Sequence, residues 1–101
     1  MDNYSIAITV ENIRPINNAG SLRASADLRV NGWLMKNFRV VQQDGQRPWV
    51  SVPQVEYRTR EGKRAFSNIL EPPDDVKPLI QAAVLEAYDR MISDRSGGTA
   101  W

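Results

Sequence analysis

The stretch from Leu22 to Val30 alternates without a break. Leu22, Ala24, Ala26, Leu28 and Val30 are set against Arg23, Ser25, Asp27 and Arg29. A period of two sends one set to a buried face and the other to a wet face, so the segment predicts a half-buried strand. Asn31-Gly32 comes immediately after. Both central residues of a two-residue hairpin turn need positive φ, which asparagine and glycine adopt at least cost. The strand must therefore double back. Trp33 to Val41 supplies the returning arm, with Phe38 and Val40 on one face and Arg39 on the other.

The flanking segments extend this pair. Ile6, Ile8 and Val10 alternate but Ile13 falls out of phase, which predicts a bulge or strand end near Glu11-Asn12. Asn17 to Gly20 makes the first turn and Asp44-Gly45 another. Trp49 to Val52 reads as a short strand stopped at Pro53, and a last strand covers about Ala65 to Leu70. On that reading residues 54–64 are the loop between them, with Glu61-Gly62 near its tip. Pro72-Pro73 breaks the pattern, and Asp74 or Asp75 can cap a helix beginning there. Val76, Ile80, Ala83, Val84, Ala87 and Met91 recur at helical spacing, flanked by Leu79, Tyr88 and Ile92. Pro78 suits a first helical turn, where its missing N–H has no partner to lose. Ser96-Gly97-Gly98 ends the helix. The expected fold is α+β, an antiparallel five-stranded meander packed by one C-terminal helix. Residues 1–95 form a single domain and 96–101 a flexible tail.

Composition narrows the chemistry. With no cysteine and no histidine, Ser-His and Cys-His nucleophile pairs and His/Cys zinc sites are excluded. No phosphate-cradling glycine loop is present. The tight acidic pair Asp74-Asp75 sits at the helix start, and nothing points to a small-molecule substrate or a cofactor. The expectation is a protein without catalytic activity. No apolar run is long enough to span a membrane, and the start MDNYSIAITV lacks a signal-peptide pattern. Asn3-Tyr4-Ser5 fits a glycosylation sequon, which matters little without a secretory signal. The expected location is the cytoplasm. The formal net charge is +1, but residues 1–73 hold ten Lys/Arg against seven Asp/Glu, while residues 74–101 hold three against five. The cations belong to the first part of the chain.

Five short motifs keep one order and spacing from about Ile8 to Met91. They are I-R-P-I at 13–16, G-S-L-R-A at 20–24, N-F-R-V-V at 37–41, W-V-S-V-P at 49–53 and I-Q-A-A-V-L-E-A-Y-D-R at 80–90. In that register the chain resembles the stage V sporulation protein G (SpoVG) family of small bacterial septation regulators. The resemblance implies a compact sheet with a C-terminal helix, assembled as a homodimer. It also implies direct binding of DNA, and in some members RNA, without catalysis, in cell division and gene regulation. The family places Ser-Lys-Arg-Thr after its F-V-A-M-P segment, and that Lys-Arg pair is associated with nucleic-acid binding. Here Gln54-Val55-Glu56-Tyr57 come after Pro53, so Val55 and Glu56 stand in the two basic positions. The family's later His-Pro-Ile is Asn68-Ile69-Leu70.

Cationic residues return a few positions downstream, at Arg58, Arg60, Lys63 and Arg64, with only Glu61 among them. Arg58 and Arg60 lie two apart and would share one face of an extended arm. Arginine's planar fork engages phosphate oxygens in pairs, and Tyr57 could stack on an unpaired base. These five are the candidate nucleic-acid-binding residues, and a dimer would display two such loops. The competing reading is a charged hairpin that keeps a sheet edge soluble. It leaves a homodimeric protein-interaction module that has lost nucleic-acid binding. Arg14, Arg23, Arg29 and Arg39 admit both readings, as cross-strand ion pairs or as an extended basic stripe. Trp33 and Trp49 are expected in the core or at a dimer contact. The acidic outer face of the helix, with Glu86, Asp89 and Asp94, argues against a groove-reading helix.

Overall fold

The computed structural model describes residues 6–17 and 20–98. The Asn3-Tyr4-Ser5 sequon, part of the Asn17–Gly20 turn and positions 99–101 of the expected tail lie outside them. Six strands precede one helix: β1 (Ile8–Pro15), β2 (Leu22–Val30), β3 (Trp33–Val41), β4 (Trp49–Ser51), β5 (Gln54–Arg58), β6 (Arg64–Asn68) and α1 (Lys77–Gly98). The architecture is α+β with antiparallel pairing throughout. Among the described residues no helix is long and apolar enough to cross a membrane.

The single five-stranded meander is corrected to two sheets. β1-β2-β3-β4 form one, and β5-β6 form a separate hairpin. The segment expected to be a loop, residues 54–64, is an extended arm, a tight turn and the start of the return strand. The reason lies at the outer edge of β4. Val50 pairs with Val40, and its remaining N–H and C=O face away from β3. Both are taken by the amide of Gln81 on α1: Val50 N donates to Gln81 Oε1 at 2.9 Å, and Gln81 Nε2 donates to Val50 O at 2.7 Å. The glutamine imitates a fifth strand, so the edge is closed before β5 begins. Buried Pro53 then turns the chain away.

The β2–β3 hairpin closes as expected, with Asn31 at φ 49 and Gly32 at φ 87. The phase break in β1 is a register shift between Val10 and Asn12. Ala24, Ala26, Leu28, Val30, Phe38, Val40 and Val50 of the sheet meet Val76, just before α1, and Ile80, Val84 and Tyr88 of α1 in one core. The i, i+4 row from Val76 to Tyr88 is the seam that the helix buries. Of the three residues expected to flank that stripe, Tyr88 enters the core, while Leu79 and Ile92 are exposed. Asp74 and Asp75 lie in a turn before the helix, where Val76 N and Lys77 N both donate to Pro73 O and Asp74 pairs with Lys77 at 3.2 Å. Trp33 and Trp49 are 73% and 52% exposed, and neither belongs to the core.

Replacing Gln81 with Met keeps the bulk over β4 but leaves two backbone groups unpaired. We expect the Gln81→Met protein to lose about 1–3 kcal/mol in urea unfolding. A loss no larger than that of an exposed-site control such as Ala82→Ser would show that the amide does not close the edge.

Candidate nucleic-acid interface

The β5–β6 hairpin sets each candidate residue by strand alternation. Gln54, Glu56 and Arg58 pair with Asn68, Phe66 and Arg64, so these six share one face. Val55, Tyr57, Ala65 and Ser67 share the other. At the tip, Gly62 N donates to Thr59 O and Thr59 N to Lys63 O, each at 2.9 Å. Gly62 takes φ 82, the left-handed position of a three-residue hairpin loop. Arg60 is therefore a turn residue, and the expected two-residue alternation between Arg58 and Arg60 stops short of it.

The four cations have different surroundings. Arg64 is held by Glu56 in a forked pair, with Nε and Nη2 donating to the two carboxylate oxygens at 3.0 and 3.1 Å. The Glu56 hydrogen bond raises the Arg64 pKa further above its usual value. Arg64 also lies over the Phe66 ring at 5.9 Å. Arg58 Nη1 donates to Gly62 O at 2.9 Å, which braces the turn and leaves its other N–H groups unengaged. The side chains of Arg60 and Lys63 are exposed and have no partner among the described residues. Tyr57 is 49% exposed on the opposite face from Arg58 and Arg64. The hairpin thus brings Arg58 and Arg64 side by side, places Arg60 and Lys63 at the tip, and sets Tyr57 on the face opposite Arg58 and Arg64.

The strand arginines resolve as well. Arg23 donates to Gln42 O and Asp44, Arg29 to Glu11 and Gly32 O, and Arg14 to Asp27 and Ser25. Arg39 alone of these has no partner among the described residues. Asp27, assigned by alternation to the wet face, is only 5% exposed. It sits opposite Lys36 and Asn37, where β3 carries an extra residue between the Ala26–Phe38 and Leu28–Met35 pairs. Asn37 takes φ 72 there, and its N–H donates to Asp27 Oδ1 at 3.3 Å. The Arg14 guanidinium, 3.1 Å from Asp27 Oδ2, holds the Asp27 carboxyl below its usual range, against the opposing effect of burial.

Sequence reasoning missed a groove. The hairpin's Glu56 and Phe66 face the outer side of the four-stranded sheet across a cleft of about 430 Å³. Trp49, Arg39 and Asn37 line the opposite wall. Trp49 and Phe66 are both more than half exposed. No spacing rule links positions so far apart in the chain. The only hint was that Arg39, Val41, Trp49 and Ser51 fall on the outward side of their strands. No protein-family model matches the chain, and no curated protein matches it in sequence.

The lowered Asp27 pKa has a definite sign. Stability from this carboxylate is complete above the unfolded pKa, near 3.8, and is lost as pH falls through the lower folded value. Asp27→Asn should cost about 1–3 kcal/mol at pH 7 in urea melts. The gap to wild type should narrow below about pH 4. A gap that stays constant down to the acid transition would rule out the pairing as its source.

Proposed function

We propose that this chain is a homodimeric, non-catalytic nucleic-acid-binding regulator of the SpoVG type, acting in the cytoplasm on DNA or RNA in septation and gene regulation. The observation that carries the reading is the pair Arg60 and Lys63, cationic side chains without protein partners among the described residues, at the tip of a projecting hairpin. Arg58 stands behind them with free N–H groups. Such a cluster meets backbone phosphate rather than base edges, giving modest affinity, little sequence preference and a steep dependence on salt. Arg64 has a lesser part in this reading, because Glu56 already neutralises it. The family's basic pair is displaced from the strand after Pro53 to the turn, where the cationic N–H groups stay open to water or phosphate.

The dimer rests on the hairpin too. β5 and β6 are largely exposed and touch other elements only sparsely. A two-stranded hairpin is barely stable alone in water, so Val55, Tyr57 and Ile69, each about half exposed or more, are suited to cover by a second copy. Twofold pairing would place two cationic tips on one particle.

A second reading has its own observation. Glu56 and Arg64 satisfy each other, as charges on a merely soluble hairpin do, and the apolar face could hold another protein. Labelled duplex and single-stranded oligonucleotides separate the two. Under the first reading, binding seen at about 50 mM salt weakens sharply by about 200 mM. Arg60→Ala/Lys63→Ala should flatten the salt slope by about one unit per lost phosphate contact. Wild-type binding by that double variant at every salt concentration would refute the tip assignment, and absence of binding at low salt would favour the interaction module. Light scattering should give about twice the 11.4 kDa chain mass. A mass of one chain would remove the dimer.

A further inference from the structure

The groove between the sheet and the hairpin has the composition of a site for unpaired bases. Trp49 stands at the start of β4 and Phe66 in the middle of β6, on opposite walls. Large aromatic rings left half in water lose burial energy that a stacked partner would recover. Every nucleobase offers a flat π-face, so stacking of this kind tolerates any sequence. Paired bases cannot reach it, because their faces are already covered by the duplex stack.

The polar lining fits the same ligand. Arg39 enters the groove from β3 with no protein partner among the described residues. It lies on the outward face, in the row where Arg14, Ser25, Arg39 and Ser51 pair across the four strands. A guanidinium beside two aromatic rings serves a strand whose phosphates flank its stacked bases. Asn37 presents an amide, able both to donate and to accept, from a backbone fixed in the left-handed region by Asp27. Gln54 donates to Asn68 at 2.8 Å, which leaves its own carbonyl oxygen as an acceptor along the groove. Glu56 would repel phosphate, but its charge is spent on Arg64. The hairpin's ion pair therefore does two things: it quiets the acid and holds Phe66 under a cation.

We propose that this groove binds single-stranded nucleic acid, with bases stacked on Trp49 and Phe66 and a phosphate on Arg39. The proposal rests on the nucleic-acid reading above and adds that single strands are preferred over duplex. The free hairpin tip then supplies attraction to any polyanion, while the groove supplies the discrimination.

The test uses the full chain with Trp33→Phe and Trp101→Phe, so that Trp49 is the sole indole. Oligo-dT and oligo-U of about 15 nucleotides, and a duplex of equal length, are titrated at about 50 mM salt. Trp49 fluorescence and the anisotropy of the labelled oligonucleotide are read together. Single strands should quench Trp49 and bind more tightly than duplex. Phe66→Ala should weaken single-strand binding roughly tenfold and leave duplex binding within about twofold. Arg39→Gln, which removes no aromatic packing, should lower the single-strand salt slope by about one unit. Single strands that bind without perturbing Trp49, or a Phe66→Ala loss equal for both forms, would overturn the groove while sparing the tip. Failure of every oligonucleotide to bind, with the wild-type chain as well, would overturn the nucleic-acid reading itself, and the groove with it.

Discussion

Asp27 is buried on the face of the sheet away from the helix, and its carboxylate is where β1, β2 and β3 are held in register. A carboxylate removed from water is costly unless its oxygens find donors. Here Arg14 reaches both oxygens from β1, and the backbone N–H of Asn37 reaches one from β3. Two of the sheet's three register irregularities flank this residue: the β1 shift between Val10 and Asn12, and the extra residue of β3 opposite Asp27. Each bulge bends its strand and redirects the side chains beyond it. After the β3 bulge, Phe38 and Val40 enter the core while Arg39 turns outward. The orientation of one groove wall thus depends on an ion pair one strand away.

The division into two sheets comes from competition for one edge. The expected five-stranded meander would have required the strand near residues 65–70, here β6, to bond with β4. The helix, seated on the core by Ile80, Val84 and Tyr88, carries Gln81 to that edge instead. An amide has one donor side and one acceptor side, as a single strand residue does. Three residues of β4 suffice because the helix finishes the work that another strand would do. The chain past Pro53 then pairs only with itself, projecting as a ribbon. Separation of the hairpin from the sheet creates the groove, so edge closure by Gln81 is the structural cause of the groove's existence.

Much of the fold was legible in the sequence. Strict alternation marked β2, Asn31-Gly32 marked its turn, and the misplaced Ile13 gave the bulge in β1. The helix was visible in the spacing from Val76 to Met91. Alternation could not reveal the true environment of Asp27, because a polar residue between apolar ones reads as solvent-facing until its donors are known. Nor could it reveal that Gln81, an ordinary polar helix residue, faces a strand edge. Residues 54–58 contain only Val55 and Tyr57 as strand formers, too little to mark β5 without its partner. Of the candidate site, the cationic cluster was legible as a cluster. Its division into the neutralised Arg64, the bracing Arg58 and the free Arg60 and Lys63 depends on Arg64 meeting Glu56 and Arg58 meeting Gly62 O across the hairpin.

That division matters because the chain has almost no net charge to spend. At +1 overall, a long-range field is weak, and attraction for a polyanion must come from local excess. Self-pairing sets where the excess remains. Arg14, Arg23, Arg29 and Arg64 are each matched with Asp27, Asp44, Glu11 and Glu56, and these pairs cancel in place. The helix does the same with Lys77 and Asp74, and with Arg90 and Glu86. Among the described residues, the cations without an acidic partner are Lys36, Arg39 and Arg47 on or near β3 and β4, and Arg58, Arg60 and Lys63 on the hairpin. Only Glu61 of the turn stands among the hairpin set. Unmatched positive charge is thus left at Arg39 in the groove and at Arg58, Arg60 and Lys63 around the hairpin turn, while the groove's acid, Glu56, is paired with Arg64. A nearly neutral protein can in this way keep local cationic groups open to solvent, provided its ion pairs hold. Salt that screens these cations also loosens those pairs, because both depend on exposed charges.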